Sequence, residues 1–190
     1  MKKWHDPKLG EFTFNEIGWR KEIKLDAFSM FSYDSTDPSR VSNNQSVSLT
    51  IEVDDEDELP TEEVINVIYR TLENHEKLLS KCIDDLFNDM LGKEPNTWMW
   101  WNNGIDDIRE HQLQSEITPE KPYTLNESKD LYKIMGNPGV TFQKFSDKYD
   151  KPCSTIGFEA VFEKGHGIGF LTNGINLLGL GYRMDPSPYE

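Results

Sequence analysis

The chain is poor in cysteine, with only Cys82 and Cys153 among its 190 residues. Two thiols so far apart build neither a disulfide framework nor a zinc motif. The apolar helical pattern around Cys82 is that of a free, buried thiol. Long apolar runs are missing too. None approaches the roughly 20 residues that span a bilayer, and Met1-Lys2-Lys3-Trp4-His5-Asp6-Pro7 lacks the apolar core of a signal peptide. The expected compartment is therefore the cytosol. Basic residues are scarce: 20 Lys and Arg stand against 34 Asp and Glu, for a formal charge of −14. This balance argues against binding to nucleic acid or an anionic membrane, both of which need clustered cations. It is compatible with a basic protein partner, which a field of this sign would steer inward, although solubility alone also explains it. Catalytic motifs are absent as well, with no G-x-S-x-G, phosphate loop, dinucleotide fingerprint or H-E-x-x-H. The expectation leans away from an enzyme and includes no cofactor and no metal.

What the chain does contain is a clear alternation of elements. Phe12-Thr13-Phe14 and Ile23-Lys24-Leu25 flank Ile17-Gly18-Trp19 and predict an opening hairpin. The Ser-, Asn-, Asp- and Pro-rich stretch from Asp34 to Gln45 predicts a surface loop. From Val47 to Val53 every odd residue is apolar and every even one polar, the mark of a half-buried strand in an antiparallel sheet. Asp54 to Glu58 and Leu59-Pro60-Thr61 then announce a helix. Its apolar positions recur from Val64 to Leu91 and stop at Gly92. Unbroken it would be about 45 Å long, so a bend near Asn74-His75 is expected. Thr124-Leu125-Asn126-Glu127 has the form of a capping box for a short helix ending at Gly136. The C-terminal third predicts strands over Val140–Phe142, Thr155–Phe162, Gly167–Thr172 and Ile175–Leu180. Asn173-Gly174 between the last two suits a type I′ hairpin turn. The predicted fold is α+β: a largely antiparallel sheet, one long central helix packed on one face, and a C-terminal β-hairpin. Residues 1–190 are expected to form a single domain, with a boundary near residue 115 as the alternative.

Three features are candidates for function. Thirteen acids between Asp54 and Glu94 face only Arg70, Lys77, Lys81 and Lys93. The first five, Asp54 to Glu58, lack the glycine turn of a calcium loop and suit a solvated helix entry. Asp84, Asp85 and Asp89 could join them as an anionic face that attracts a basic partner. Trp98, Trp100 and Trp101 form a dense aromatic knot. They cannot all face one way on a helix or strand, so part is expected in the core and part at the surface as a partner anchor. Finally, Glu163 and His166 lie in Phe162-Glu163-Lys164-Gly165-His166-Gly167-Ile168-Gly169-Phe170. There the flanking glycines permit a tight bend or a β-bulge. A turn histidine bonded to nearby backbone is one reading of His166. A catalytic pair or partial metal site with Glu163 is the other.

Taken in order, Asp6-Pro7-x-Leu9-Gly10-x-Phe12, Trp19, Leu59-Pro60-Thr61 before a long helix, and Phe162-Glu163-x-x-His166-Gly167-Ile168-Gly169-Phe170 before Asn173-Gly174 resemble a family of uncharacterised bacterial domains. That family carries a C-terminal tryptophan–acid–x–acid–His–Gly–x–Gly segment and often occurs near polymorphic toxin systems. Phe162 stands here in place of its tryptophan, and Gly165 in place of its second acid. The resemblance implies an immunity-like binding protein with no established activity. Its partner would be a toxin-like basic protein, and its oligomeric state is left open.

Overall fold

The computed structural model describes residues 1–34, 46–114, 123–143 and 149–189. All of the expected Asp34 to Gln45 loop beyond Asp34 lies outside them, as does the alternative boundary near residue 115. Among the described residues nine strands form one sheet in strict sequence order: β1 (Lys3–Asp6), β2 (Gly10–Asn15), β3 (Gly18–Lys24), β4 (Ser46–Glu52), β5 (Met135–Gln143), β6 (Cys153–Ala160), β7 (Glu163–Thr172), β8 (Leu177–Tyr182) and β9 (Asp185–Pro188). Every neighbouring pair is antiparallel except β4 and β5, which run parallel. A parallel pair needs a long crossover, and this one contains α1 (Glu62–Glu73), α2 (His75–Met90), a short helical segment α3 (Ile105–Asp107, continued by a π-turn to Gln112) and α4 (Leu131–Ile134).

The registers place Leu49, Val140, Ile156, Phe170 and Leu180 opposite one another across β4 to β8. All five are buried, and with Val64, Val67 and Ile68 of α1 they belong to one hydrophobic cluster. Helix α1 packs on β5 and β6, and α2 on β8. One residue along, Gly139, Gly157, Gly169 and Gly181 form a second in-register row. Because side chains alternate between faces, this glycine row lies on the side away from the core row.

The largely antiparallel sheet and the C-terminal β7–β8 hairpin agree with expectation, but the single long helix does not. The chain breaks into two helices at Asn74, whose backbone leaves the helical region at φ −105° and ψ 9°. The Asn74 amide donates to Arg70 O at 2.8 Å and to Gly174 O at 3.1 Å. The tip of the β7–β8 hairpin thus docks where the helix parts. The turn at that tip also differs from type I′. Gly174 has positive φ but Asn173 does not. The Asn173 carboxamide oxygen instead accepts from the amides of Ile175 and Asn176, both at 3.0 Å, giving a four-residue loop. The expected Thr124 box is shifted: Glu127 and Asp130 make the reciprocal cap. Met135, expected in the short helix, opens β5.

Candidate functional site

Helix α2 ends in a carboxylate that organises the tryptophan-bearing loop. Asp89 is fully buried. Its Oδ1 accepts from Thr97 N at 2.6 Å and Asn102 Nδ2 at 2.9 Å, and its Oδ2 from Thr97 Oγ1 at 2.5 Å. Three donors around one buried carboxylate satisfy it and tie the loop's two ends together. Between those ends Trp101 turns inward and is fully buried, with its ring edge-on to Phe162 and Tyr182. Trp98 is 89% exposed and Trp100 40% exposed.

Across from this loop β6 turns into β7 through Val161 and Phe162, with Ala160 paired to Glu163. Pairing resumes only at Phe158 and Ile168, so Lys164 to Gly167 bulge out opposite Glu159. Gly167 takes φ +64°, and a Cβ there would lie 2.3 Å from Phe158 O, which restricts the position to glycine. The bulge turns His166 back over its own strand. Its backbone N–H donates to Glu163 Oε1 at 3.2 Å, its Nδ1 lies 3.2 Å from the same oxygen, and its ring packs on Tyr182 at 4.6 Å. The expected backbone partner for the imidazole is thus a side-chain carboxylate. The other carboxylate oxygen, Glu163 Oε2, accepts from Trp100 Nε1 at 2.7 Å.

Two candidate sets that are more than sixty residues apart in sequence therefore meet: Trp100, Glu163 and His166 form one hydrogen-bonded group, backed by Tyr182 and Trp101. The anionic face does not assemble as expected. Only Asp84 is exposed; Asp85 and Asp89 are buried. Asp85 pairs with Lys81 and accepts from the Tyr189 hydroxyl at 3.0 Å. Burial, reinforced by Asp85, pushes that hydroxyl far above its ordinary pKa. Trp101, as core, is likewise withdrawn from any contact surface. The acids Asp54 to Asp57 are exposed, as a solvated helix entry requires.

No protein-family model, curated protein or solved structure matches this chain. What the site can do is therefore argued from its own groups. Among the described residues no three His, Cys, Asp or Glu side chains cluster as metal ligands. Both Glu163 oxygens already accept hydrogen bonds. Sequence reasoning missed Tyr182 and a neighbouring group, Asn137, Glu159 and Arg183, that lies beyond the bulge. The signal that could have found it is glycine at every second position, Gly165, Gly167 and Gly169 on β7 and Gly179 and Gly181 on β8. That spacing clears one face of adjoining strands.

Proposed function

We propose that the protein is a non-enzymatic, immunity-like binding protein that occludes a basic macromolecular partner, with Trp98 and Trp100 as anchors. The observation that carries this reading is the fixing of a half-exposed indole: Trp100 reaches solvent while its N–H is held by Glu163. Exposed tryptophans with a rigid backing are what interface hot spots are built from. Charge supplies the second support. Of the thirteen acids between Asp54 and Glu94, ten are exposed, the exceptions being Glu58, Asp85 and Asp89. Exposed acids in this number accelerate encounter with a cationic partner wherever they lie, an effect that weakens as salt rises. An enzyme centred on Glu163 and His166 draws less support, because the carboxylate is committed to Trp100 and the His166 backbone.

The test is capture of a partner by the tagged chain, compared with its Trp98→Ala/Trp100→Ala variant at two salt concentrations. A basic protein retained by the parent and released by salt is expected. The double variant should bind it about thirtyfold or more weakly, the scale of a hot-spot loss. Equal retention by the variant, or retention indifferent to salt, overturns the reading.

A further inference from the structure

The in-register glycines leave a trench on the sheet face away from the core, and Arg183 lies in it. A Cβ on Gly157 would come within 2.6 Å of Arg183 Cγ, and one on Gly139 within 3.2 Å of Nη2. The guanidinium is thus laid flat across β5 and β6 by the absence of side chains beneath it. Its Nη2 donates to Asn137 O at 3.1 Å. Glu159, its ion-pair partner among the described residues, stays at 3.8 Å from Nη1, outside hydrogen-bonding distance. That carboxylate is drawn instead to the Asn137 amide, whose Nδ2 donates to Oε1 at 2.6 Å. One hydrogen bond among the described residues therefore serves a group with five N–H donors. The Arg183 side chain is 28% exposed, so water compensates it only in part, and burial lowers its pKa against the opposing pull of Glu159. Beside it opens a cleft of about 210 Å³, lined also by Lys164, His166, Gly167 and Tyr33.

We propose that this cleft is a binding site for a small oxyanion, a carboxylate or phosphate group, received by the free N–H edge of Arg183 with Lys164 and His166 at the rim. The geometry matches what guanidinium recognition needs: a planar fork held rigid, only partly hydrated, and facing open volume. Lys164, His166 and Arg183 line the cleft together with one carboxylate, Glu159. The site shares the His166 bulge with the surface proposed above, but Arg183, which carries it, has no contact with Trp98 or Trp100 among those that define that surface.

The test follows the Arg183 Nε–Hε resonance of the ¹⁵N-labelled full chain, assigned by its loss in Arg183→Lys. Inorganic phosphate, acetate and sodium chloride are titrated at matched ionic strength. A saturable shift with phosphate or acetate, and none with chloride, is expected, and the tighter of the two assigns the ligand class. Removing the charge-assisted bonds in Arg183→Met should weaken binding at least about tenfold by calorimetry. Lys164→Gln, an exposed substitution that leaves the trench intact, should weaken it a few-fold. No saturable shift, an equal response to chloride, or unchanged affinity in a folded Arg183→Met protein overturns the proposal.

Discussion

Replacing Asp89 by alanine removes the carboxylate that closes the tryptophan loop, and its cost can be worked out from the contacts. Three donors lose their acceptor, namely the Thr97 amide, the Thr97 hydroxyl and the Asn102 carboxamide. Hydrogen bonds to a charged group contribute about 1.5–3 kcal/mol each, and those sharing one acceptor are not additive. Donors left buried add a desolvation penalty, while local opening to water relieves part of it. The net expectation is about 3–5 kcal/mol, a large share of the roughly 5–15 kcal/mol that holds a domain together. For a chain of this size it corresponds to a melting temperature lower by roughly 6–20 °C. Asp89→Asn keeps the oxygen facing Thr97 N and Asn102, and the Thr97 hydroxyl can reverse to accept from the new amide, so it should cost only about 1–2 kcal/mol. Asp84→Ala, on the exposed side of the same helix, should stay within about 0.5 kcal/mol of the parent. Urea unfolding followed by both far-ultraviolet circular dichroism and tryptophan emission measures all three. An Asp89→Ala protein as stable as Asp84→Ala refutes the argument that this acid is structural.

Two other perturbations test the fold around the site. Gly174→Ala places a Cβ 2.8 Å from Arg70 Cβ and 2.9 Å from Thr71 N at φ +88°; it should cost roughly 2–4 kcal/mol in urea unfolding, and a loss under about 0.5 kcal/mol would show that the hairpin tip is not docked on α1. Burial raises the pKa of Glu52 above its ordinary 4.5, against a hydrogen bond with Gln143 that lowers it. The folded state then holds this proton to higher pH than the unfolded chain, so stability falls as pH climbs through that interval. Glu52→Gln should melt higher than the parent near neutrality and converge with it in acid below 4.5; a gain confined to acid would contradict the sign.

Much of the architecture could be read from residue order, and the failures have physical causes. The alternation of Val47, Leu49 and Ile51 reports a strand with one face on helices, and it sits in β4 with those residues fully buried. By contrast, Lys3–Asp6 and Asp185–Pro188 have no such pattern, because an edge strand is defined by its neighbour's hydrogen bonds rather than by burial. The parallel β4–β5 pairing joins residues some ninety positions apart and depends on the helical crossover between them, which no local pattern encodes. The break at Asn74 is deeper than the expected bend, and it falls where the Asn74 side chain bonds Gly174, a hundred residues away. Charge counting misplaced Asp85 and Asp89. Leu78, Cys82, Asp85 and Asp89 follow a helical spacing along one stripe of α2, and all four are buried. Attention to the face, rather than to the sum of charges, would have put two of the three acids indoors.

The site itself could be seen only as two fragments, and their meeting changes what each one means. Tryptophan left half in water stabilises the fold little through burial, and a hydrogen bond from its N–H to a carboxylate near the surface adds on the order of 1 kcal/mol. Folding alone gives weak reason to hold Trp100 so firmly. Yet it is constrained twice: from below by the loop that Asp89 closes, and laterally by Glu163, itself fixed through the His166 bulge. Immobilising an anchor in advance lowers the entropy lost when a partner arrives, which otherwise costs about 0.5–1.5 kcal/mol for each ordered side chain. The buried acid of α2 and the glycine-permitted bulge of β7 thus act on the same indole. If Trp100 is the partner anchor proposed above, their common effect is felt in association rather than in folding.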